Sequence, residues 1–169
     1  MTLSEKLQIK QGSARLLGAI YFLFFASGMM STYFGAVLPA ITKEYLLTYT
    51  TSGLILSFHQ VGSFVAVILA GFMPYLIGRK RSTVYFASGI VVGLILFTVT
   101  GNPALLLFAA LCTGVGRGTI SNITNVVIAE NMGNKTAGLN LLHAFFSVGA
   151  MLGPLLALIS ISIDVWRAS

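Results

Sequence analysis

An all-α, polytopic transmembrane helix bundle is the fold class that this sequence predicts, on three observations. Of its 169 residues, 56% are hydrophobic and only 8% are charged. The apolar residues gather in runs of roughly 20 or more instead of amphipathic patches, which is membrane composition. Breakers and polar residues gather between the runs, in "TKEY" at 42–45, "GRKRS" at 78–82, "TGNP" at 100–103 and "NMGNKT" at 131–136.

A polar, basic segment at 1–14 precedes the first apolar run and is expected to be cytoplasmic. The five-span bundle then covers 15–163. The first span, 15–41, follows Lys6, Lys10 and Arg15, and "FASG" within it offers small residues, as a cleavable signal peptide would. The run continues through "MMSTYFGAVLPA", however, well past the core of a signal. The second span, 50–77, carries His59 and a ridge of Gly62, Ala66 and Ala70 that permits close helix approach. The third covers 82–100, the fourth 103–130 and the fifth 137–163, the last with Gly149, Gly153 and Pro154. Each is long enough to cross a hydrocarbon core of roughly 30 Å at about 1.5 Å per residue. Short joints make neighbours antiparallel. The end, "DVWRAS" at 164–169, is placed where a further helix would begin.

Basic residues orient the bundle, because Lys and Arg in short loops favour the cytoplasm. Lys6, Lys10, Arg15, Arg79, Lys80, Arg81 and Lys135 fall on one side, against Lys43 and Arg167 on the other. The expected arrangement is a multi-pass protein of the cell membrane with a cytoplasmic amino terminus. The formal net charge of +6 is scattered among apolar segments and forms no basic face, so a nucleic-acid partner is not expected. The single cysteine, Cys112, provides neither a disulfide framework nor a metal cluster. No paired carboxylates, nucleophile triad or phosphate loop is present, so neither an enzyme nor a cofactor is expected.

One charge lies inside the membrane. Arg117 falls midway along the fourth span, where a cation costs roughly 2.5 to 3.5 kcal/mol on insertion scales and normally faces a cavity or the bundle interior. Thr113, Arg117, Ser121, Thr124 and Asn125 are spaced 4, 4, 3 and 1, which forms one polar stripe. The fifth span answers with Thr136, Asn140, His143 and Ser147, again on one face. Asn140 and His143 should lie roughly 9 to 14 Å below the midplane and Asn125 about 12 Å below Arg117, so these residues are expected at similar depth. The stripe reads either as a hydrophilic route for a solute or as structural hydrogen bonding between helices. No carboxylate shares the depth of Arg117, so its partner is expected from outside these spans: a substrate anion, another half of the protein, or backbone and water. His59 reads better as a packed histidine than as a proton relay.

A faint internal repeat relates "GLILSFHQVGSF" (53–64) to "GLNLLHAFFSVGAM" (138–151), through Gly-Leu-x-Leu, a histidine and Val-Gly-small. The second and fifth spans run in opposite directions, as an inverted repeat requires.

Taken with these spans, "GFMPYLIGRKRS" (71–82) resembles the signature between the second and third helices of the major facilitator superfamily. Gly71, Gly78, Arg79 and Lys80 carry the match, which implies a gating loop there. The sequence departs from that signature at Tyr75 and Leu76, where the family has an acidic and a basic residue. "LNLLHAFFSVGAMLGP" (139–154) is similar to the fifth helix of the fucose permease branch of sugar transporters, and its Gly-x-x-x-Gly-Pro ending partly resembles drug exporters. Acidic residues that matter in that sugar branch fall near Gly35 and Ser121, so proton coupling is not carried over. The resemblance implies a major facilitator-like N-terminal bundle with five of six helices present, 164–169 leading into a missing sixth. It implies secondary transport of a small polar solute, a sugar or organic anion, between this bundle and a missing C-terminal half. The expected solute contacts are Arg117, Ser121, Asn125, Asn140 and His143, and the expected partners are the lipid bilayer, the solute and that second bundle. A drug or metabolite exporter, and a non-transporting remnant or assembly partner, are the competing readings.

Overall fold

The computed structural model describes residues 12–162, so Lys6, Lys10, Arg167 and the segment 164–169 lie outside the described residues. Among the described residues six helices follow one another: α1 (Ala14–Glu44), α2 (Tyr49–Ile77), α3 (Arg79–Ala87), α4 (Gly89–Val99), α5 (Pro103–Asn131) and α6 (Lys135–Ser162). Together α3 and α4 make one span, so five helical segments of 31, 29, 21, 29 and 28 residues are long and apolar enough to cross a membrane. Large apolar side chains such as Phe22, Phe64, Met151 and Leu158 stand outward, each about two-thirds exposed. In water that surface would drive aggregation, whereas hydrocarbon is its matching solvent. The molecule is a multi-pass membrane protein of the all-α class.

Local chemistry explains where the helices start. The Thr48 side chain accepts the Thr51 N–H at 3.2 Å ahead of α2. Asn102 accepts the Ala104 N–H at 2.9 Å ahead of α5, with Pro103 in the first turn, where a missing N–H costs nothing. Asn134 accepts the Ala137 N–H at 3.1 Å as α6 begins. Gly78 turns the chain between α2 and α3 with φ of 85°, a conformation that a Cβ would strain.

Two span ends differ from the sequence expectation by three residues, and one span is interrupted. The third span begins at Arg79, not 82, because nothing after Gly78 breaks a helix and Ser82 N–H already bonds Gly78 O at 3.0 Å. The first span continues through Thr42, Lys43 and Glu44, with the Thr42 hydroxyl folded back onto Leu38 O at 2.8 Å. The third span is interrupted at Ser88, whose hydroxyl donates to Tyr85 O at 2.7 Å and loosens the turn. The backbone ladder nonetheless carries across, from Val92 N–H to Ser88 O at 3.1 Å.

Two parallel helix pairs, both seamed by glycine, organise the bundle. Against α5, a Cβ on Gly62 of α2 would strike Leu111 O and meet Val115 N at 3.0 Å, while one on Gly114 would strike His59 O. Against α1, a Cβ on Gly149 of α6 would strike Phe25 O and meet Met29 N at 3.1 Å, while one on Gly28 would strike Phe146 O. One constant shift takes Gly62 and His59 onto Gly149 and Phe146, and another takes Leu111, Gly114 and Val115 onto Phe25, Gly28 and Met29. The α2–α5 pair and the α6–α1 pair are thus equivalent units running opposite ways. This is the inverted repeat in atomic contacts. Its register equates Val61-Gly62-Ser63 with Val148-Gly149-Ala150, as the sequence match does, but places Phe146, and not His143, opposite His59. The third span lies on α5 through Gly89 and Gly93, which face Cys112 O and Ala109 O.

Ties at the ends show which charges share a side. Ser13 Oγ donates to Asn131 Oδ1 at 3.0 Å, and Arg79 Nη1 contacts both carboxylate oxygens of Glu130 at 2.9 Å. These contacts set Arg15, Arg79, Lys80, Arg81 and Lys135 at one end. At the other, Tyr45 OH donates to Phe97 O at 3.1 Å and Thr42 pairs with Ser52 at 2.6 Å, beside Lys43.

Candidate functional site

A polar patch sits on the α2–α5 seam because glycine lets the two backbones approach there. Gly114 and Gly118 bring α5 onto α2, so the side chains flanking them meet across the seam. Arg117 Nη2 donates to Gln60 Oε1 at 3.3 Å and to Ser63 Oγ at 3.2 Å. Ser63 Oγ in turn donates to Gly114 O at 3.0 Å. Arg117 Nε is buried and has no partner among the described residues. The guanidinium is thus held by two neutral, rather long contacts, with no ion pair among the described residues.

One turn earlier, His59 Nδ1 lies 3.1 Å from Thr113 Oγ1, and the His59 ring stacks on Phe34 with centroids 5.4 Å apart. The Thr113 hydroxyl also bonds Ala110 O at 2.9 Å. His59 Nδ1 and the Ala110 carbonyl therefore share the Thr113 hydroxyl. His59 is a packed and hydrogen-bonded side chain at the edge of the patch.

The structure places the sequence-predicted residues in two groups. Ser121 and Asn125 are half-buried on α5 with Arg117, and Asn125 Nδ2 donates to Ser121 O at 2.8 Å. Asn140 and His143 are exposed on α6, whose chief partner is α1. The ring of His143 meets Phe24 edge-on at 5.6 Å. Neither shares a hydrogen bond with Asn125 among the described residues. Sequence reasoning did not single out Gln60 and Ser63. Their signal was depth: both sit mid-way along the second span, level with Arg117. To the candidate partners of Arg117 the structure adds two neutral groups of α2, Gln60 and Ser63.

The loop residues Gly71 and Arg79 line a cavity of about 370 Å³ at the end that carries Glu130, together with Tyr75, Ser82, Asn122 and Val126. Gly78 is the turn, and Lys80 is exposed. Arg79 finds its acid in Glu130, on α5, and not within the loop.

Comparison with known proteins agrees with this architecture. The Bacillus subtilis (strain 168) glucose/mannose transporter is 23% identical over 146 residues, which is 86% of this chain and 36% of that protein. The chain therefore spans little more than a third of that relative's length. The profile of the Major Facilitator Superfamily matches residues 20–169. With five apolar spans, inverted glycine-seamed pairs and a profile match over most of its length, the chain belongs to the major facilitator superfamily.

Proposed function

We propose that this bundle is one wall of a secondary active transporter that moves a small polar solute, a sugar or an organic anion, across the cell membrane by alternating access. The observation that carries the proposal is Arg117: a half-buried cation at mid-span, reached by Gln60 and Ser63 and paired with no carboxylate among the described residues. Such a charge is retained at a cost of a few kcal/mol where it faces a wet route or a solute. Arg117 anchors the solute, and Ser121 and Asn125 extend the route along α5. Asn140 and His143 contact the solute from α6 when a second bundle closes the site. The end bearing Arg15, Arg79 and Lys135 is cytoplasmic, by the bias of basic residues. Similarity to a glucose/mannose transporter supports sugar chemistry over drug export.

Uptake by the full-length protein in proteoliposomes tests this. Arg117→Ala should lower solute uptake by about tenfold or more at equal protein levels, the scale of one lost charge-assisted hydrogen bond. Asn140→Ala should act more weakly in the same assay. Unchanged uptake in Arg117→Ala would remove Arg117 from the route, and with it the basis for preferring a polar solute to an exported amphipath.

A further inference from the structure

We propose that the solute at this site is a hydroxylated organic acid, its carboxylate bound by Arg117 and its hydroxyls by Gln60 and Ser63. The inference deepens the transport reading above and rests on it.

Charge accounting comes first. The chain has four acidic residues. Of the two among the described residues, Glu130 is spent on Arg79, and Glu44 closes α1 at the opposite end. Among the described residues, Arg117 therefore stands in the middle of the bundle hydrogen-bonded to one amide and one hydroxyl oxygen. In a medium of low dielectric, an uncompensated cation repels a second cation and gains most from an anion. A neutral hexose leaves that charge unmatched.

The edge geometry selects the kind of anion. Nε and Nη2 form the side of the guanidinium whose two N–H bonds run parallel, the fork that a carboxylate accepts in bidentate fashion. Nε has no partner, and Nη2 is shared between oxygens at 3.2 and 3.3 Å. A carboxylate replacing these two contacts would satisfy both nitrogens. Displacement would also free Gln60, which is exposed, to present its amide to a hydroxyl group, and Ser63 to do the same. Cation and hydroxyl-binding groups lie within one turn of each other across the seam, a spacing suited to a molecule the size of a sugar acid.

Equilibrium binding to the purified full-length protein in nanodiscs tests the proposal, with glucose and mannose set against glucuronate and gluconate. Glucose and glucuronate share a ring and differ at one carbon, so their ratio reports the carboxylate alone. The expected result is that glucuronate or gluconate binds about tenfold or more tightly than glucose, and that Arg117→Gln removes this preference. Arg117→Lys, which keeps the charge and loses the fork, should recover only part of it. Tighter binding of glucose than of either acid would overturn the inference and point to a carboxylate from the second bundle as the partner of Arg117. That outcome leaves transport of a polar solute intact. Binding of neither acid by folded wild-type protein would overturn it equally, and the wild-type comparison does not depend on any variant folding.

Discussion

Arg117 shows how one side chain is placed by its neighbours' lack of bulk. Gly114 and Gly118 flank it and permit the close approach of α2, so that Gln60 and Ser63 come within reach of Nη2. The His59–Thr113 contact is the structural counterpart, one turn away. Thr113→Val preserves shape but leaves His59 Nδ1 without its hydroxyl partner. Interhelical hydrogen bonds in membrane proteins average about 0.6 kcal/mol, so thermal unfolding in detergent should show a loss of about 0.5 to 1.5 kcal/mol. An unchanged midpoint would mean that His59 finds another hydrogen-bond partner. Arg117 was legible in the sequence because a charge within an apolar run has few explanations. Gln60 and Ser63 were not, since single neutral polar residues make no periodic pattern, and their meaning appears only once α2 is set beside α5.

At the scale of the helix, glycine decides which helices pair. Gly114→Ala would drive a Cβ into the His59 carbonyl, backbone against backbone, with no flexible side chain to yield. Overpacking of this kind costs roughly 1 to 3 kcal/mol, so reduced thermal stability and folded yield are expected. Gly35, with open space around its would-be Cβ, is the control: Gly35→Ala should be neutral or slightly stabilising. Equal losses at both positions would contradict the seam. The Arg79–Glu130 pair ties α3 to the end of α5, yet its side chains are 44% and 51% exposed. A double-mutant cycle with Arg79→Ala and Glu130→Ala should give a coupling below about 1 kcal/mol. The number of spans was legible because apolar run length is a direct requirement of the bilayer. Span ends were less so: Thr42, Lys43 and Arg79 are polar but good enough helix residues, and polarity alone had marked them as joints.

Over the whole molecule, the inverted repeat makes a prediction that no single helix contains. The shift that takes Gly114 onto Gly28 takes Arg117 onto Ser31, and the shift that takes Gly62 onto Gly149 takes Gln60 onto Ser147. In both units the first position is half-buried and the second exposed. Ser31 therefore occupies, on α1, the place that Arg117 holds on α5, and the same solute that reaches position 117 should shield a cysteine at position 31. Ser31→Cys that labels with no shielding would break the functional equivalence of the two pairs. The repeat was visible in sequence as a short Val-Gly-small match, but its register depended on which residue packs against which glycine. The histidines misled because they occur at similar places along their spans without facing equivalent partners.

The central claim is that Arg117 faces a solvated solute route. Cys112 is free and half-buried on the same helix, so it must first be replaced. Arg117→Cys in a Cys112→Ala background of the full-length protein, probed with a membrane-impermeant thiol reagent, tests the claim most directly. The account predicts labelling that added solute slows. A folded protein in which position 117 labels from neither side of the membrane would make Arg117 a sealed structural charge and contradict it.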